Sequence, residues 1–258
     1  MPGTDRRPDE LRPLSFTRGY TGAAPGSVLV KMGRTTVLCT CTVEQTVPPF
    51  LVGRGQGWMT AEYGMLPGST GTRKARDRGG KIDGRSVEIQ RLIGRSLRAV
   101  ADLGALGERT LWIDCDVLEA DGGTRTAAIS GAFVALVDAL SVLHESADAY
   151  RGPAGVPLSP PPKPAAVLKD SVAAISVGLL DGAELLDLEY GEDRDAEVDF
   201  NVVMTGGGRF VEVQGGGEEA TFARGELDRL LDLAGRGIAA VTAAQRTALG
   251  ERWPFRET

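Results

Sequence analysis

The chain has 258 residues, 42% of them hydrophobic and 25% charged, which is the composition of a globular protein long enough to bury a substantial core. Its single histidine, His144, follows an apolar helical run, so the sequence excludes histidine-based catalytic triads and zinc sites with several histidines. The net charge of −6 argues against a protein that coats nucleic acid over its whole surface, and any RNA site must therefore be a local basic patch.

The N-terminal segment and the apolar stretches carry no signal for membrane targeting. Residues 1–13 are charged, include prolines and lack the apolar core of a signal peptide. The longest apolar stretch, residues 129–143, is too short to cross a bilayer. We therefore expect a cytoplasmic protein with no membrane partner.

The first elements of the chain are predicted to be strands followed by a helix. Residues 27–44 alternate between apolar and polar positions on both sides of a Gly-Arg pair, which predicts a hairpin. Cys39 and Cys41 fall on one face of its second strand and are expected to be small buried residues. A short strand is predicted near 57–62. Residues 86–103 carry one apolar stripe at helical spacing and predict an amphipathic helix.

A second strand and a long apolar helix complete the first half. Residues 109–119 place Leu, Ile, Cys and Val on one side, with Asp114 and Asp116 on the other. Residues 121–123 form a glycine turn that leads directly into the helix.

The second half of the chain repeats this order of elements. Residues 151–164 hold six prolines and predict a connection between two lobes. Residues 172–188 and 198–213 predict two hairpins, and 225–249 a final helix. Strands followed by a long helix thus occur on each side of the connection, which indicates an internal pseudo-repeat of two β/α halves.

Two glycine-led turns that carry arginines are candidates for anion binding. Gly122 and Gly123 allow a tight turn, and the helix behind them offers unpaired amides and the positive end of its dipole. Thr124 adds a hydroxyl donor, and Arg125 adds a guanidinium that can bind phosphate through two hydrogen bonds. Arg85 follows a second such turn. The alternative for each is a capped helix with a surface arginine.

An acidic stretch is the candidate for metal binding. Asp199 and Asn201 share one face of a predicted strand, and Asp193 lies in the turn before it. Two carboxylates that leave the other coordination positions free for water or substrate form a typical Mg²⁺ site. The commoner structure for such a run is a solvated acidic turn.

One local basic patch is present. Residues 72–85 contain six basic and two acidic residues. The segment is expected to be either a mobile surface loop or the place where RNA phosphates bind.

In their order along the chain, these elements resemble the ribonuclease PH family, phosphorolytic 3′-exoribonucleases that mature transfer RNA. The match extends over nearly the whole chain and is carried by long strings such as GQGWMTAEYGMLPGST and DCDVLEADGGTRTAAISGA. The matching strings cover 7–21, 26–40, 55–70, 88–99, 114–132 and 201–205.

The resemblance implies the fold and the assembly. We expect a two-lobed α+β fold in a single catalytic domain, residues 1–258, with mixed sheets packed on helices. The N-terminal lobe would span 1–150, the connection 151–164 and the C-terminal lobe 165–258. The family further implies a homohexamer built as a trimer of dimers, with transfer RNA precursors as the RNA partner.

The resemblance also implies where inorganic phosphate, the co-substrate, binds. The family's phosphate-site arginine falls on Arg85, and its phosphate loop falls on Gly123, Thr124 and Arg125. Phosphate would attack the terminal linkage and release a nucleoside diphosphate, in a reaction that can run in reverse.

The family's metal-associated aspartates, which hold Mg²⁺ or Mn²⁺, fall on Asp193 and Asp199, so these and Arg125 are the expected catalytic residues. The segment through which the family binds RNA falls on Arg73 and Arg76. Two alternatives stay open: a hydrolytic metal-dependent 3′ exonuclease, and a catalytically silent ring subunit that only threads RNA.

Overall fold

The computed structural model describes residues 6–76, 83–146, 160–218 and 220–256. Its strands are β1 Leu14–Arg18, β2 Gly26–Met32, β3 Thr35–Glu44, β4 Trp58–Met65, β5 Thr110–Glu119, β6 Val172–Leu180, β7 Ala183–Leu186, β8 Val198–Thr205 and β9 Phe210–Gly217. Its helices are α1 Gly84–Ala99, α2 Leu103–Leu106, α3 Thr124–Glu145, α4 Pro164–Val167, α5 Tyr190–Asp195 and α6 Arg224–Leu249.

The first sheet has the strand order β1-β2-β3-β5-β4. Its pairs are antiparallel except β4 with β5, which run parallel because α1 crosses between them. Alternation places Cys39 and Cys41 of β3, and Cys115 of β5, in the core, where all three are free thiols. The predicted hairpin and the buried cysteines are thus confirmed.

The second sheet has the order β7-β6-β8-β9 and is antiparallel throughout. Its first hairpin turns at Asp181 and Gly182, both with positive φ (50° and 74°), which suits the right-handed twist of the paired strands. The repeat of element order is therefore real but imperfect. In the first half a helix joins β4 to β5, whereas β8 and β9 form a simple hairpin.

Helix α3 lies in the core and packs against both sheets. Its Gly131 approaches β2 and β3 so closely that a Cβ there would lie 2.8 Å from Cys39 Sγ. On the side of the second sheet, Ser130 Oγ accepts a hydrogen bond from Ala174 N at 3.2 Å. With 22 residues, α3 is longer than the apolar stretch 129–143. The expectation that this stretch is too short to cross a bilayer is therefore wrong for the helix as a whole, which is long and apolar enough to do so. Because 94% of its most apolar window is buried, it is the core helix of the fold.

Three elements depart from the sequence predictions for local reasons. Helix α1 ends at Ala99 rather than at 103, because Asp102 accepts hydrogen bonds from the amides of Gly104 and Ala105 and starts the separate helix α2. The acidic turn before β8 is a short helix, α5. Strand β1 was not predicted from the sequence; its five residues are half-buried or exposed, and none is fully buried.

Two predicted segments lie partly outside the described residues. These are 77–82 of the basic patch and 151–159 of the proline-rich connection. The end of the connection is described, and there Pro164 begins helix α4.

Candidate active site

The turn before α3 depends on two glycines. Gly122 and Gly123 have φ of 71° and 65°, a region that side chains with a Cβ rarely adopt. A Cβ on Gly122 would also lie 2.3 Å from the carbonyl oxygen of Leu188, so the turn lies directly against the second lobe. The first amides of α3 thus open at the junction of the two lobes, where the helix dipole favours an anion.

Thr124 begins α3 and is 6% exposed. The Tyr63 hydroxyl donates to Thr124 Oγ1 at 2.9 Å, and burial raises the pKa of Tyr63, so this tyrosine stays protonated. Because Oγ1 accepts from Tyr63, the hydroxyl hydrogen of Thr124 can be donated to a ligand.

Arg125 is held by groups from two other elements. Its Nη1 donates to Gln214 Oε1 of β9 at 2.9 Å and to Glu88 Oε1 of α1 at 3.4 Å. Gln214 Nε2 in turn donates to Glu88 at 3.0 Å. Sequence reasoning missed both partners, since no local pattern links β9 or α1 to the phosphate loop.

Arg85 and Arg125 lie around one cavity. Arg85 stands in the first turn of α1, whose N-cap Asp83 pairs with Lys74 at 2.9 Å. The cavity measures about 220 Å³. It is lined by every residue predicted for phosphate and metal, together with Asn201 and Glu218: Arg85, Gly123, Thr124, Arg125, Asp193, Asp199, Asn201 and Glu218. No sequence pattern had indicated Glu218.

The carboxylates that line this cavity are partly buried and repel one another. Burial raises the pKa of Asp193, and burial together with the charge of Asp193 raises the pKa of Asp199. Arg85 and Arg125 act in the opposite direction on Asp193. Carboxylates that repel each other in this way gain from a cation placed between them.

The donor set fits a hard divalent cation. Within the described ranges no three acidic, histidine or cysteine side chains form a complete metal cage. Mg²⁺ does not need one, because it commonly binds one or two carboxylates and fills its other positions with water and substrate phosphates. Asp193 and Asp199 with the amide oxygen of Asn201 fit that requirement.

A buried ion pair lies beneath the phosphate loop. Arg12 Nη2 and Nε donate to the two oxygens of Asp187 at 2.6 and 3.0 Å, and the pair is 4% and 0% exposed. Arg12 Nη1 also donates to the carbonyl oxygen of Asp121. One arginine therefore ties the N-terminal segment, the loop before α3 and the second lobe together, a link that the sequence analysis did not detect.

A second, larger cavity of about 570 Å³ adjoins the first and shares with it Arg85, Gly123, Thr124 and Asp193. Its lining also includes Thr72 and Lys74 of the basic patch. Arg73 and Arg76 are exposed on this same segment and do not line the cavity itself.

The chain matches the 3′ exoribonuclease family over two regions, domain 1 at residues 10–141 and domain 2 at residues 170–237. A ribonuclease PH from Rhodopirellula baltica is 57% identical over 93% of this chain and 94% of its own length. A ribonuclease PH from Syntrophomonas wolfei is 54% identical over 95% and 98%.

Solved structures share the fold. Rice (Oryza sativa) Rrp46 matches with a TM-score of 0.72 at 20% identity, covering 95% of this chain and 98% of that one. A chain of the Archaeoglobus fulgidus exosome with RNA bound to the active site matches with a TM-score of 0.73 at 19% identity, covering 92% and 90%. The predicted α+β fold is confirmed. The two family matches span most of the chain and its curated relatives are more than half identical, so the chain belongs to the 3′ exoribonuclease family, in its ribonuclease PH group.

Proposed function

We propose that this enzyme shortens the 3′ ends of transfer RNA precursors with inorganic phosphate and releases nucleoside diphosphates. One observation carries the proposal: the two arginine-bearing turns, at Arg85 and Arg125, line the same cavity as Asp193 and Asp199. Cationic groups for an attacking phosphate and ligands for a divalent metal thus line the same space of about 220 Å³.

Phosphate is held by the start of α3 and by the two arginines. The amides of Gly123 and Thr124 and the Thr124 hydroxyl donate to its oxygens, and the guanidinium groups of Arg85 and Arg125 neutralise its charge. Because Gln214 and Glu88 hold Arg125 in place, little side-chain entropy is lost when phosphate binds.

The reaction needs no protein nucleophile. A phosphate oxygen attacks the phosphorus of the terminal 3′–5′ linkage, a new P–O bond forms, and the bond to the 3′ oxygen of the preceding nucleotide breaks. That oxygen takes up a proton and becomes the new 3′ end, and the terminal nucleotide leaves as a diphosphate. Positioning and charge stabilisation carry the catalysis, and the reaction can run in reverse.

Asp193 and Asp199, with Asn201, would hold Mg²⁺ or Mn²⁺. A cation bound there would supply charge stabilisation to the phosphodiester under attack. Because burial raises the pKa of both aspartates, protons would compete with the metal for these carboxylates, and metal binding should weaken as the pH falls.

RNA reaches the cavity along the basic patch. Arg73 and Arg76 are exposed beside the second cavity, where they can contact the phosphates upstream of the 3′ end. The family suggests a homohexamer built as a trimer of dimers. Light scattering of the purified protein is then expected to give six times the chain mass of 27.2 kDa.

The experiment is to incubate the protein with a 3′-extended transfer RNA and Mg²⁺, with and without phosphate, and to identify the nucleotides released. Nucleoside diphosphates formed only with phosphate are expected. Monophosphates formed without phosphate would favour a hydrolytic exonuclease. No release under either condition would favour a silent RNA-threading subunit.

A further inference from the structure

The second cavity contains an aromatic residue that the proposed chemistry does not use. Tyr190 lines this cavity and is 58% exposed, and Met65 and Ala120 add further apolar surface to the wall. The cavity volume of about 570 Å³ lies within the range of small-molecule sites, roughly 300–1,000 Å³. A space of this kind suits a flat, partly apolar ligand better than a second free phosphate.

The position of Tyr190 is fixed relative to the phosphate loop. A Cβ on Gly122 would lie 2.9 Å from the backbone nitrogen of Tyr190, so the loop and the start of α5 are in direct contact. A reciprocal pair of hydrogen bonds between Glu189 and Glu192 caps α5. Tyr190 precedes Asp193 by three residues and lies on the same face of this short helix.

The cavity joins the basic patch to the phosphate site. Its lining includes Thr72 and Lys74 of the basic patch and Arg85, Gly123 and Thr124 of the phosphate site. An RNA strand that follows the basic patch toward the phosphate site therefore reaches this cavity with its last nucleotide. Aromatic side chains bind unpaired bases by stacking, and they do so with little dependence on sequence.

We propose that the ring of Tyr190 stacks on the base of the 3′-terminal nucleotide, the one that leaves as a nucleoside diphosphate. The inference rests on the proposed function, since it assigns the base-binding part of the same site. Tyr190 is then a substrate-positioning residue. It holds the terminal nucleoside so that its 5′ phosphorus faces the bound phosphate, and it recognises a base rather than a phosphate.

The test compares Tyr190→Leu with Tyr190→Phe, which keeps the ring, and with Phe210→Leu. Phe210 is 52% exposed and lines neither cavity. Base–aromatic stacking is worth about 1–3 kcal/mol, so Tyr190→Leu is expected to raise the KM for RNA and the inhibition constant of ADP by roughly 5- to 150-fold. Tyr190→Phe and Phe210→Leu are expected to retain wild-type values, and the KM for phosphate is expected to stay constant in all three variants.

Two results would overturn the inference. One is an unchanged ADP inhibition constant in Tyr190→Leu, because the ring would then not touch the terminal nucleoside. The other is an equal rise in the KM for phosphate, which would indicate general distortion of the site. Neither result bears on the proposed function, which fails only if the wild-type protein does not release diphosphates with phosphate.

Discussion

Replacing Arg12 with alanine should destabilise the protein and weaken its phosphate site. The substitution removes a guanidinium that makes two hydrogen bonds to the Asp187 carboxylate and one to the Asp121 carbonyl oxygen. Asp187 is 0% exposed, so its carboxylate cannot reach water unless the chain moves. Its φ is 58°, a value that few residues other than glycine, asparagine and aspartate adopt.

The expected loss of stability follows from this burial. Removing one partner of a buried ion pair leaves an uncompensated charge and costs about 3–5 kcal/mol. Domains are commonly stable by about 5–15 kcal/mol, so the variant should lose a large part of its total stability. Arg12→Lys keeps the positive charge but not the forked geometry, and it should lose less.

The assay is urea unfolding at one fixed protein concentration, since assembly couples stability to concentration. The matched control is the double variant Arg12→Met with Asp187→Asn. It removes the buried charge and retains a residue that tolerates positive φ. We expect the double variant to be more stable than Arg12→Ala alone. The reasoning is refuted if Arg12→Ala costs under about 1 kcal/mol, well below the range for a broken buried pair, or if the double variant is no more stable than the single one.

Three further predictions concern the site itself. Arg125→Ala should lower kcat by about 10²–10³ and raise the phosphate requirement, which a phosphate titration would measure; a wild-type titration curve would contradict its assignment. Asp199→Asn should nearly abolish turnover. In chelator at pH 8 it should unfold at a higher temperature than wild type, because the raised pKa of Asp199 makes its ionised form a cost to the folded state. That difference should shrink once the pH falls below the folded-state pKa and should be gone below the ordinary aspartate value of 3.8, and a difference that stays constant from pH 8 to below 3.8 would argue against it. Arg73→Ala and Arg76→Ala should each weaken RNA binding and lower the slope of log affinity against log salt by about one; an unchanged slope would exclude these phosphate contacts.

The strands and helices with a regular apolar pattern could be predicted from the sequence. The period-two strand at 109–119 and the period-3.6 helix at 225–249 are found almost residue for residue as β5 and α6. Each signal is local, because alternate residues of a strand and every third or fourth residue of a helix determine one buried face. For the same reason Gly122 and Gly123 could be recognised as the start of an anion site.

The contacts that join the lobes could not be predicted in this way. Arg12 and Asp187 are 175 residues apart, and Arg125 and Gln214 are 89 apart. A single sequence carries no pattern that pairs such positions. The role proposed for Tyr190 could not be predicted from the sequence either, because an exposed tyrosine in an acidic stretch suggests a ligand site only when the cavity beside it is known.

Helix α3 packs against both sheets, and this has a consequence for engineering. The helix falls within family domain 1 for most of its length, yet the Ser130 carbonyl oxygen accepts a hydrogen bond from Gln245 Nε2 of α6 at 2.9 Å. A fragment ending at residue 146 would expose to water the face of α3 that covers the second sheet, and exposed apolar faces of that kind promote aggregation. Chimeras that exchange one family domain between relatives must therefore carry matching residues on both sides of this helix.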